Sequence, residues 1–137
     1  MSLVWAKGKP KVKQISTFTF LLLLTIPLLV EGGQPQTKIT GMFSTYEYLE
    51  DAGDISGLEV FIVVTNKGYH AVIQDSLGYP DVPVVVPVEV EGDWVRFGFS
   101  NSAGEEQSFE GRVTGKALSG KLNGEPYSLP RKKSYWQ

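Results

Sequence analysis

The sequence predicts an all-β domain of about eight antiparallel strands in an up-and-down meander barrel, preceded by an N-terminal signal segment. Three observations lead there. From Ile39 onward the apolar residues recur mostly with period 2. Turn residues interrupt them roughly every ten positions. Gly, Val, Tyr and Phe with interspersed Pro outweigh the helix formers, and almost no 3.6-residue period is present.

The start of the chain reads as an address. Lys7, Lys9, Lys11 and Lys13 precede an uncharged apolar run over residues 15–30, the order of a cationic n-region and an apolar h-region. The run contains Pro27 and is shorter than the roughly 20 residues of a membrane span. Val30 and Gly32 are small enough for a signal peptidase, which puts the mature start near Gly33. Residues 1–32 are therefore read as a signal peptide, removed or left as a membrane-inserted anchor, and residues 33–137 as a single β-barrel domain.

The first strand, residues 39–48, carries Ile39, Gly41 and Phe43 on one face and ends at the acidic stretch Glu50-Asp51-Ala52-Gly53-Asp54. The second, residues 58–65, places Leu58, Val60, Ile62 and Val64 on one side and turns at Asn66-Lys67-Gly68. The third covers residues 69–77. In the fourth, Val82, Val84, Val86, Val88 and Val90 alternate with Pro83, Val85, Pro87 and Glu89. Two prolines that cannot donate predict an edge or a weakly bonded seam along that strand.

The fifth strand, residues 94–100, turns Val95, Phe97 and Phe99 inward; the sixth, residues 107–114, turns Phe109, Gly111 and Val113 inward. The seventh, residues 117–122, offers Leu118, Gly120 and Leu122, and Asn123-Gly124 is a type I′ hairpin signal leading to a last strand over residues 125–135. Gly98, Gly111 and Gly120 fall inside strands, where they permit tight bending. Val60, Ile62, Val84, Val86, Phe97, Phe109 and Leu118 are the expected core. Closure into a barrel would protect the Val-rich edge from pairing with other chains.

This layout resembles the lipocalin-like, or calycin-like, barrels, most closely in size the small secreted bacterial ones. The residues that carry the resemblance are Gly41-Met42-Phe43 in the first strand and Arg131 in the last. It implies that the aromatic plugs one end of the barrel and that the late Arg packs across it. Phe43 stands where the family has Trp, and the long helix before the final strand is missing.

Charge and composition exclude several functions. Removing the leader's four lysines from 13 basic residues and Glu31 from 15 acidic ones leaves the exported part near −5, a poor nucleic-acid binder. The chain has no cysteine, hence no disulfide framework, thiolate metal site or thiol nucleophile. No Gly-x-Ser-x-Gly elbow and no phosphate cradle occurs, and no cofactor is expected. His70 is the single histidine; with Gln74 on the same strand face it is the pair to inspect if the domain is a small-barrel enzyme. Glu47, Glu50, Asp51, Asp54 and Glu59 invite a calcium reading, but their spacing does not fit a helix-flanked calcium loop, and a solvated turn explains them as well.

Aromatic residues are the most suggestive material. Tyr46, Tyr48, Tyr69, His70, Trp94 and Tyr127 are the candidate lining for a small apolar ligand. Arg131, Tyr135 and Trp136 are candidates for a partner-facing patch, or else for covering the barrel bottom. The expected function is a secreted or periplasmic noncatalytic barrel that binds a small apolar ligand or a protein partner, with membrane contact only through an uncleaved signal segment. The alternatives are an enzyme using His70 and a periplasmic protease-inhibitor-like barrel whose residues 33–37 enter a protease.

Overall fold

A computed structural model describes Gly8 and residues 36–137. The expected signal segment, its cleavage point and residues 33–35 of the inhibitor reading lie outside the described residues.

The described residues form ten strands and no helix, arranged as two antiparallel five-stranded sheets. The first sheet contains β1 (Gly41–Ser44), β2 (Glu47–Leu49), β3 (Asp54–Thr65), β4 (Gly68–Gly78) and β5 (Val84–Pro87). The second runs β6 (Glu89–Glu91), β7 (Trp94–Ser100), β8 (Glu106–Val113), β9 (Ala117–Leu122) and β10 (Glu125–Pro130). The all-β, antiparallel meander is as expected. The closed barrel is not: the ladders end at two seams.

One seam follows from proline. Residues predicted as a single fourth strand split into β5, which pairs with β4, and β6, which pairs with β7. Pro87 has no N–H to continue a ladder toward β7, and beyond it the Val88 amide turns to the Tyr69 carbonyl at 2.9 Å. The other seam lies between the first and last strands, where one isolated bridge joins Phe43 to Arg131 and the Lys132 amide donates to the Met42 carbonyl at 3.2 Å.

The predicted first strand is also split. Between β1 and β2 the Thr45 hydroxyl accepts from the Leu58 amide at 2.9 Å, a side chain taking the place of a ladder carbonyl. Two broken strands account for ten elements in place of eight.

The alternating faces meet in one core. Phe43, Val60, Ile62, Ala71 and Ile73 from the first sheet pack with Val95, Phe97, Phe99, Phe109, Val113, Leu118 and Leu129 from the second. Phe97 stacks on Phe109 at 5.2 Å between centroids. Val84 and Val86, expected inside, are only half-buried against this core, because β5 lies along a seam. Gly111 faces Gly120 in the β8–β9 ladder, as close strand approach requires. At the last hairpin Asn123 (φ 52°) and Gly124 (φ 84°) both adopt positive φ, with Leu122 opposite Glu125, the type I′ geometry.

The last strand is shorter than predicted. β10 stops at Pro130. After Arg131 the chain crosses onto the face of the first sheet that points away from the core.

Candidate functional site

An up-and-down meander sends alternate loops to opposite ends, so the candidate residues separate by strand register. Tyr46, Tyr48 and Tyr127 belong to one end, Tyr69 and Trp94 to the other, and His70 to the outer face of β4. No single cup gathers all six.

The end reached by residues 36–40 and by the β3–β4, β6–β7 and β8–β9 turns is filled. Residues 36–40 run across it beside Tyr69, Val90 and Gly92. Arg131 completes the filling. Its guanidinium carbon stands 4.5 Å from the Phe43 ring centroid. Its Nη1 donates to the Thr40 carbonyl at 2.8 Å, and its Nη2 to those of Lys38 at 2.7 Å and Thr114 at 3.1 Å. The fork-shaped donor set of arginine suits three carbonyls contributed by two segments. Partial burial pulls its pKa below the ordinary value, yet arginine stays a cation at any physiological pH. A Cβ at Gly41 would occupy the space of this guanidinium, and Gly41 has φ 146°, so glycine is required twice over. Trp94 lies at this end, with Arg96 5.7 Å above its ring.

The opposite end is open. A recess of about 250 Å³ enters between the sheets, floored by Leu58, Phe99, Leu122 and Tyr127. The Tyr127 hydroxyl is 3.1 Å from that of Thr45. On the rim, Asp75 accepts from the Ser102 amide at 2.9 Å and hydroxyl at 2.8 Å, fixing the β7–β8 loop. Leu77, 76% exposed, lines the recess; Tyr79 and Val82, 85% and 79% exposed, follow in the β4–β5 loop, and Tyr48 and Leu49 are also exposed. These apolar side chains sit at strand ends and in loops and stay exposed among the described residues. Sequence reasoning missed Leu77 and Val82, because one strand end or loop carries a single exposed apolar residue and only the fold brings several to one rim.

The two ends differ in charge as well. The four loops at the open end carry Glu50, Asp51, Asp81 and Glu105 and no lysine or arginine, with Asp54 and Asp75 beside them. The filled end carries Lys38, Lys67, Lys116 and Arg131, with Lys132 and Lys133 opening the tail; its acids are Asp93, paired with Arg112, and Glu91 beside that turn.

The tail makes a third locus. Glu59, on the outer face of β3, is only 6% exposed because its carboxylate accepts from the Ser134 hydroxyl at 2.6 Å and the Tyr135 amide at 2.9 Å. The Trp136 indole donates to Gln74 at 3.1 Å. Tyr135 and Trp136 pack edge-on against Tyr46 at 6.0 and 6.3 Å. These two aromatics therefore cover the outside of the first sheet and not the bottom of a barrel, because Glu59 captures the tail. Tyr46 is 3% exposed; burial first, then the charges of Glu59, Asp75 and Asp81, pushes its phenol well above the ordinary range. Its hydroxyl is the one buried side-chain polar atom without a partner among the described residues.

His70 and Gln74 share a face as expected, yet Gln74 is engaged by Trp136 and the Asp81 carbonyl, and His70 Nδ1 lies 3.2 Å from the Thr65 hydroxyl. Among the described residues no carboxylate hydrogen-bonds to either side chain. The acidic residues weighed for calcium do not converge: Glu59 is bound by the tail, and no group of three or more His, Asp or Glu among the described residues is placed to hold a metal ion. No family model matches the chain, and neither a curated protein nor a solved structure matches it.

Proposed function

We propose that the chain is exported as a secreted or periplasmic noncatalytic β domain that binds a small apolar ligand at its open end. One observation carries this reading: the exposed Leu77 on a recess floored by Leu58, Phe99 and Leu122, with Tyr79 and Val82 exposed in the loop that follows Leu77's strand. With Phe97, Phe99 and Phe109 filling the space between the sheets, there is no deep cup, so the ligand is held at the mouth and its size is limited to a few rings or a short acyl segment. Thr45, Tyr127 and Asn101 supply the polar groups that would orient it.

The lipocalin-like reading belongs to the same proposal. It takes the two sheets as a barrel relaxed at two seams, and it is supported by the passage from β5 to β6 at Val88 and by Arg131 standing over Phe43. Binding of a protein partner at the rim is the second reading, favoured by the exposure of Tyr79 and Val82 beyond the recess itself.

The test is a titration with the neutral apolar dye N-phenyl-1-naphthylamine, combined with native mass spectrometry of exported protein. Saturable dye binding that is lost in Leu77→Ser/Tyr79→Ser, with an unchanged melting curve, supports the ligand reading. Absence of saturable binding, together with a divalent ion retained through dialysis, would transfer the case to the enzyme alternative.

A further inference from the structure

The filled end gathers cations from segments far apart in sequence. Arg131 ties them together: its side chain holds the Lys38 and Thr114 carbonyls, and its amide donates to the Lys116 carbonyl at 2.7 Å. Lys38, Lys67 and Lys116 are all exposed, and neither of the two ion pairs among the described residues involves them. One recess at this end is lined by residues 36–40 with Tyr69, Val90 and Gly92, and another by Glu91, Trp94 and Arg112. Lys67 and Lys116 line neither, so what they offer is a positive potential over the surface.

From this we propose that the filled end is a bilayer-facing surface, which seats the domain on anionic lipid headgroups with the open end turned away. A planar partner fits the charge layout better than a nucleic acid. The strands separate the basic end from the acidic one; β3 alone has twelve residues, on the order of 40 Å at about 3.3 Å per residue. That is several times the roughly 8 Å Debye length of physiological salt. A flat anionic sheet therefore attracts the near end without feeling the far one. A polyanion wrapping the domain would meet both.

Each lysine near an anionic surface changes association by about fivefold.

The absence of cysteine makes the test clean. Gly115→Cys at the basic end, where an added Cβ meets nothing within 4 Å, and Ala103→Cys at the acidic end each accept one fluorophore. The full chain is placed in nanodiscs carrying a headgroup-level nitroxide quencher, made of phosphatidylcholine alone or with phosphatidylglycerol. The expected result is strong quenching at position 115 and none at 103, only in the anionic discs, lost in high salt and in Lys38→Glu/Lys67→Glu/Lys116→Glu with its melting curve intact. Equal quenching at the two positions, or quenching indifferent to lipid charge, would overturn the proposal. Displacement of the signal by duplex DNA would overturn it in favour of a nucleic-acid face. Dye binding at the open end is read separately in the same discs, so either proposal can fail without the other.

Discussion

Between the same two sheets, one end of the molecule is sealed and the other is left apolar and open. At the sealed end one side chain, Arg131, satisfies three carbonyls from two segments while lying on Phe43. At the open end Leu77 faces solvent on a recess, and Tyr79 and Val82 face solvent in the loop after it. The difference teaches where this fold holds its stability and where it is free to vary. Arg131 and Phe43 join buried packing to three hydrogen bonds at the sealed end, so substitutions of either are costly. The rim contributes little to folding, so its apolar character calls for another explanation, which binding supplies.

Substitutions can break or sharpen that contrast. Phe43→Ala should have the largest effect, a loss of about 3–5 kcal/mol in denaturant unfolding, because it empties a fully buried ring site and removes the platform under Arg131. Arg131→Ala should cost about 2–4 kcal/mol, since the carbonyls of Lys38, Thr40 and Thr114 lose their donor. A midpoint unchanged in either variant would mean that the seal is not where stability resides. At the open end, Gly124→Val should cost about 1–3 kcal/mol by forcing a β-branched residue to positive φ. Dye binding should weaken in the same variant, because Leu122 and Tyr127 flank that turn.

Tyr46→Phe tests the tail. Deleting a buried hydroxyl without a partner should stabilise the domain by about 1 kcal/mol at neutral pH. The phenol's pKa is raised on folding, so its contribution is fully present below the unfolded value near 10 and is lost as pH rises above it. Wild type should therefore lose stability above about pH 10, and Tyr46→Phe should lose less, as followed by circular dichroism. A steeper alkaline loss in the variant would show that the phenol is not held protonated by burial. The smallest effect on stability is expected for Leu77→Ser, within about 0.5 kcal/mol, with dye binding lost.

Period-2 alternation made Val60, Ile62, Phe97, Phe109 and Leu118 legible as core from sequence, since a strand buries every second residue whatever its neighbours are. The Asn123-Gly124 turn was equally legible, because its φ demands are local. Pro83 and Pro87 marked a seam, although the chemistry of proline does not say that the strand passes from one sheet to the other there. The overlong last strand had a different origin: Tyr135 and Trp136 read as strand by propensity, while their capture by Glu59 is a contact across 75 residues that no local pattern contains. The rim and the charge layout were hidden for a related reason. Lys38, Lys67 and Lys116 become neighbours only once the meander assigns alternate loops to one end.

Every ladder in the two sheets joins strands adjacent in sequence or separated by a single short one, apart from the seam where Phe43 meets Arg131 across nearly the whole domain. Hairpins can form independently and early, whereas the seam requires the two extremities of the domain to find each other and so forms last. Across this seam the Lys132–Met42 hydrogen bond shares the load with the Arg131 bonds to the Lys38 and Thr40 carbonyls, and the Lys132 amide, at the frayed end of the ladder, should exchange with solvent before those of β8. A freed tail leaves the edge of β1 open, and the tail of a second copy could fill it, so that a dimer by strand exchange is the route by which this domain would assemble at high concentration.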